Sequence, residues 1–95
     1  MRTLLDQYII DRIREKRTAK KMSQEDFSEK MGFKSNSFVA EVESPRSTKK
    51  YNPVHLNKAA LIFSCSLWEF IPQYPLAENS IVKPLIKKEK SKNSG

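Results

Sequence analysis

The sequence predicts an all-α fold, and three observations carry that expectation. Apolar residues recur at three- and four-residue spacings in successive short segments. Several of these segments open on a Ser or Asn in the position of a helix cap. With five Pro and two Gly in 95 residues, the chain lacks the turn density of an all-β protein. The length allows one domain at most. The expected arrangement is a compact five-helix bundle over residues 1–71, followed by a basic tail, 72–95, that is extended and partly disordered.

The first helix is expected from about Leu4 to Lys20. Leu5, Ile9 and Ile13 step by four, and Ile10 fills the neighbouring position of one apolar stripe. Basic residues from Arg12 to Lys21 crowd its second half, where cations suit the negative end of the helix dipole. Ser23 caps a second, two-turn helix over Gln24 to Met31, with Asp26 completing the capping pattern three residues on. Phe27 and Met31 form its apolar pair, and Gly32 is a natural stop. A third helix, 36–43, follows a Ser35 cap, turns Val39 and Val42 to one side, and ends before Pro45. Asn52-Pro53 then marks a strong helix start. Leu56, Ala59, Ala60 and Phe63 define the buried face of that fourth helix. Ser66 and Glu69 open a fifth, stopped by Pro72. Beyond it, Ser80 to Ile86 suits a short edge strand or an extended arm.

Eighteen Lys and Arg against eleven Asp and Glu give a net charge of +7, and the sequence pI is near 9.7. Residues 72–95 hold five Lys and two Glu, which leaves +4 on residues 1–71. More than half of the excess therefore sits on the folded part, which favours a polyanionic partner. The longest largely apolar run, Ala59 to Trp68, is interrupted by Ser64, Cys65 and Ser66. It is about half of the ~20 residues that a membrane span needs. A soluble, cytoplasmic protein is expected. One Cys excludes an internal disulfide and a zinc finger, and one His supplies neither a zinc site nor a catalytic triad. With no Gly-rich phosphate loop and only scattered carboxylates, neither an enzyme nor a cofactor is expected.

Two short helices joined by a Gly-containing turn form a unit, about 23–43, of the kind whose second helix enters the major groove of DNA. Groove entry requires small or polar groups on that helix's outer face, and Asn36, Ser37 and Ala40 supply them. It also requires groups that grip phosphate. Gln24 at a helix N-terminus, with Lys34, Arg46, Lys49 and Lys50, answers that need, and the hydroxyl of Ser35 joins them.

The segments RTAKKMSQEDFSEKMG and SNSFVAEVES resemble the phage-repressor (Cro and repressor, or XRE) type of helix-turn-helix domain. Arg17 precedes Gln24 by seven residues, Met22 to Phe27 match the family's capped second helix, and Val42-Glu43 match the end of its recognition helix. The resemblance spans roughly Ile9 to Ile71 and implies a lambda-repressor-like bundle. It implies that Gln24 donates to a DNA phosphate and that Arg17 pairs with Glu43 structurally. Anchored on Glu43, it makes Asn36, Ser37 and Glu41 the base readers; Asn can pair with adenine and a carboxylate with cytosine N4. Glu41 is equally well read as a solvated helix charge. The turn after Gly32 is one residue longer than the family's, and anchoring there instead gives Ser35, Asn36 and Ala40 as readers. Ser28 stands where the family has Ala, and Ser44-Pro45 where it often has Gly.

The function implied is sequence-specific binding of double-stranded DNA, as a repressor-like transcriptional regulator acting on a palindromic operator. Trp68, Phe70, Ile71 and Tyr74 either finish the core or form a homodimer interface. The alternative is an antitoxin or co-regulator that holds a toxin or other protein partner through the Trp68 region and the tail. RNA binding is less favoured, since no aromatic residues interleave with the basic patch.

Overall fold

Asn52, Ser23 and Thr3 each start a helix in the same way. A side-chain oxygen accepts from the backbone N–H three residues on, and the residue there reaches back to the cap's own N–H. These boxes begin α1 (Leu4–Ala19), α2 (Gln24–Met31) and α4 (Pro53–Phe63) in a computed structural model that describes residues 2–77. Between α2 and α4 lies α3 (Ser37–Glu43), and a 3₁₀ turn, Leu67–Phe70, closes the described chain. The protein is all-α, with no strand among the described residues. None of its described helices is long and apolar enough to cross a membrane.

Three helices end alike. The N–H that follows a left-handed residue bonds back five residues: Met22 to Arg17 O, Phe33 to Ser28 O, and Cys65 to Ala60 O. The motif needs a left-handed residue, supplied by Gly32 at φ 80°, but also by Lys21 at 59° and Ser64 at 54°.

The core gathers Ile10 and Ile13 of α1, Phe27 and Met31 of α2, Val39 and Val42 of α3, and Leu56, Ala59 and Phe63 of α4. Phe27 stacks on Phe63 at 5.3 Å between ring centroids, and Phe70 meets the other side of Phe63 at 6.4 Å. The face of α1 differs from the expected one. Its buried residues are Ile10, Ile13 and Arg17, whereas Leu5 is exposed and Ile9 only partly covered. The buried stripe runs through Ile10, Ile13 and Arg17, and Arg17 reaches Glu43 at the end of α3.

The expected fifth helix is a 3₁₀ turn instead. Ser66 caps it through Trp68 N–H, at 3.1 Å. Pro72 bars the preceding residue from helical geometry, and Ile71 is extended at φ −119° and ψ 137°. Five residues between cap and Pro are too few for a stable α-helix. The expected third helix begins one residue later than predicted, with Asn36 as its cap position. Residues 72–77 hold no helix and bend at Gln73 and Tyr74; the strand or arm expected over 80–86 lies outside the described residues.

Candidate nucleic-acid interface

The turn between α2 and α3 is built inward from Gly32. Phe33, just after it, packs its ring 4.5 Å from that of Phe38 and edge-on to His55 at 5.1 Å. The turn thus folds an aromatic side chain against the body. Lys58 Nζ donates to Met31 O at 3.0 Å and satisfies the end of α2. The buried Ser28 hydroxyl donates to Asn36 O at 3.3 Å, a bond that an alanine there could not make.

With Val39 and Val42 fully buried, α3 turns Asn36, Ser37 and Glu41 to solvent and leaves Ala40 half-buried. Ser35 Oγ accepts from Ser37 N–H at 3.1 Å and shares a hydrogen bond with its hydroxyl at 2.7 Å, so both serines are tied into the helix start. Asn36 makes no side-chain cap bond and presents its amide outward.

The residues expected to grip phosphate divide into three groups. Lys34 and Arg46 are exposed and make no ion pair among the described residues. Lys49 lies beside α3, its Nζ 3.8 Å from a Glu41 carboxylate oxygen and 5.9 Å from the Phe38 ring centre. Lys50 and Gln24 are engaged elsewhere. The Lys50 ammonium is 3.3 Å from Asp6 at the start of α1, and Gln24 Nε2 donates to Glu43 Oε1 at 2.9 Å.

Glu43 is the hub of the arrangement. Its carboxylate is almost wholly buried and accepts from Arg17 Nε at 3.0 Å and from Arg17 Nη2 at 2.8 Å, a two-pronged pair. Arg17 Nη1 donates to Met22 O at 2.7 Å. The exposed Arg14 guanidinium stands 3.8 Å from the same carboxylate. One buried anion thus ties α1, the cap of α2 and the end of α3 together.

Arg2 carries no sequence signal, and it holds the opposite side of the same helix end. Its guanidinium donates to Val42 O at 2.6 Å, Ser44 O at 3.1 Å and Lys49 O at 3.0 Å. The Thr3–Asp6 capping box is a second missed feature, although the T-x-x-D pattern at residues 3–6 announces it. Burial alone would raise the Asp6 pKa, but hydrogen bonds from Thr3 and the Lys50 ammonium together lower it.

Burial pushes the Tyr51 phenol well above its ordinary range; the Glu43 charge adds to the effect and Arg17 opposes it. Its hydroxyl has no hydrogen-bond partner among the described residues. The His55 pKa is lowered by burial and then by the Lys58 ammonium. Its Nδ1 accepts from Asn52 N–H at 3.1 Å, so the ring serves as the third-position partner of the cap. Cys65 packs against the core, and burial raises its thiol pKa. No cluster of three potential metal ligands occurs among the described residues.

The aromatic group after α4 separates into two parts. Phe70 is fully buried, so of the two places expected for it the structure shows the one in the core. Trp68 is 78% exposed and Tyr74 72%, with Ile71 half-buried between them. Arg12 donates to Glu69 O at 3.0 Å and Lys16 pairs with the Glu69 carboxylate, which fastens the 3₁₀ turn to α1. A cleft of about 360 Å³ lies between the starts of α1 and α4 and the 3₁₀ turn, lined mainly by Ile9, Leu56, Leu67 and Ile71.

The described chain is thus a four-helix all-α protein in which α2 and α3 are joined by a glycine turn. Comparison with models of known families, with curated proteins and with solved structures gives no match.

Proposed function

We propose that the protein is a sequence-specific, double-stranded DNA-binding transcriptional regulator, repressor-like in action, with α3 as the recognition helix of a lambda-repressor-type bundle. The observation that carries this reading is the outer face of α3. Asn36, Ser37 and Ala40 are small or amide side chains, the body of the helix is locked from behind by Val39, Val42 and Glu43, and Lys34 and Arg46 stand exposed at its two ends, without an ion pair among the described residues. A rigid helix with a slim polar face and flanking cations suits a major groove. Glu41 would be repelled by phosphates alone, and the neighbouring Lys49 offsets that charge. Within this proposal Lys34 and Arg46 contact the DNA backbone, Lys49 stays with Glu41, Asn36 reads a base, and Gln24 supports Glu43 rather than gripping phosphate.

Selection from a random duplex library tests the reading. The expected result is an enriched site, palindromic if the protein pairs, with affinity falling by roughly 10³-fold between about 50 and 200 mM salt for six or more phosphate contacts. Asn36→Ala relaxes one position of the site. Lys34→Ala and Arg46→Ala weaken all sequences alike and each reduce the salt slope by about one. No enrichment at low salt overturns the proposal.

The exposed Trp68 and Tyr74 favour a second reading, in which a protein partner is held beyond the 3₁₀ turn, as for an antitoxin or co-regulator. Trp68→Ala would then abolish partner capture while leaving duplex binding unchanged.

A further inference from the structure

Arg2 is the most heavily engaged cation among the described residues. A guanidinium has five N–H donors in a fixed plane, and those of Arg2 converge on the end of α3. Nη2 donates to Val42 O at 2.6 Å and lies 3.5 Å from Glu41 O. Nη1 donates to Ser44 O at 3.1 Å and to Gln7 Oε1 at 3.3 Å, and Nε donates to Lys49 O at 3.0 Å. The last four carbonyls of any helix lack partners within it, and a cation there is favoured by the helix dipole. At seven residues, α3 is far too short to persist without such support. The bond to Lys49 O does more than cap. It fixes the backbone of the residue whose ammonium lies against Glu41 and the Phe38 ring.

We propose that Arg2 is a positioning residue for DNA discrimination, holding the end of α3 and the 44–50 loop in the register that keeps Lys49 against Glu41, without itself touching DNA. The proposal rests on α3 being the recognition helix. Lysine cannot replace Arg2, because a compact ammonium cannot span carbonyls on the helix end and the loop at once.

The test compares the full, untagged chain with Arg2→Lys, which keeps the charge, and with Arg2→Met, at a temperature where circular dichroism shows all of them folded. Affinities are measured at one salt concentration for the selected duplex and for a random one. The expected result is a roughly tenfold fall in the ratio of the two affinities for Arg2→Lys, a loss of the size that follows from one disturbed base contact, with the random duplex bound as before. Arg2→Met combined with Lys49→Met should lose no more of that ratio than Arg2→Met alone. An equal loss on both duplexes, or none, overturns the proposal. Amide hydrogen exchange over residues 42–50, without DNA, separates the clamp from the DNA reading. Unchanged protection in Arg2→Met overturns the clamp. Lost protection in a protein whose wild type selects no duplex keeps the clamp and overturns its role in discrimination.

Discussion

Arg17 and Glu43, 26 residues apart in sequence, meet through two hydrogen bonds of 3.0 and 2.8 Å in a site from which water is nearly excluded. A buried pair of this kind adds little over a well-packed apolar pair, but removing one partner strands the other charge. Arg17→Met is therefore expected to cost about 3–5 kcal/mol. The double change Arg17→Met with Glu43→Leu should recover a large part of that loss. Urea unfolding of the three proteins checks both statements, and a double variant as unstable as the single one would contradict them.

Two helix ends carry avoidable strain. Lys21 and Ser64 occupy the left-handed region that costs a side chain about 1–2 kcal/mol, whereas Gly adds about 0.5–1 kcal/mol of chain entropy to the folding cost. Lys21→Gly and Ser64→Gly should each stabilise by up to about 1 kcal/mol. Gly32→Ala should do the reverse. A Cβ there would meet only Lys58 Nζ, at 3.5 Å, so its cost is that of the backbone at φ 80° and not of a clash. Midpoints of urea denaturation, compared at equal slope, give the sign in each case.

Acid should weaken the start of α4. The His55 pKa lies below its ordinary 6.5 in the folded chain, first through burial and then through Lys58. On acidification the unfolded chain takes up the proton first, so this contribution to stability is present above about pH 6.5 and is lost as pH falls toward the folded value. Protonated Nδ1 also cannot accept from Asn52 N–H. His55→Gln keeps a reaching side chain without the titration and should flatten stability between about pH 7 and 5. The Asp6 contribution is separate. Its pKa is lowered from 3.8, so its share remains above that value and is lost only as pH falls through the still lower folded one.

Phe70 and Trp68 stand two residues apart and should behave oppositely. Phe70→Ala removes a fully buried ring against Phe63 and should cost about 3–5 kcal/mol. Trp68→Ala, on the exposed side of the same turn, should change stability by less than about 0.5 kcal/mol. Thermal melts of the two variants distinguish them at once, and a Trp68→Ala protein that melts early would place that ring in the folding core.

Much of the fold was legible before any coordinates. The box at Ser23 and Asp26, the Asn52-Pro53 start and the Gly32 stop delimit α2 and begin α4 where the sequence pattern places them. These signals work because each is a contact between residues three or four apart. The candidate site was less legible. Lys50 and Lys34 look alike as exposed cations in polar loops, yet one meets Asp6, 44 residues away, and the other faces solvent. Gln24 opens a helix as expected, but its amide turns to a carboxylate brought there by α3.

Local patterning alone establishes that the chain is helical, where α1, α2 and α4 start, and that α3 has an apolar side at Val39 and Val42. How that helix is held, and which charges remain outside it, follows from the packing of the helices. That packing put Phe70 inside and Trp68 outside, turned α1 onto Arg17, and brought Arg2 to the carbonyls of residues 42 to 49. The reason is the range of the interactions. Caps and periodic faces are written within one or two turns of chain, whereas Arg17 finds Glu43 26 residues away and Arg2 finds Val42 and Lys49 40 and 47 residues away, and these meet only once the helices have packed.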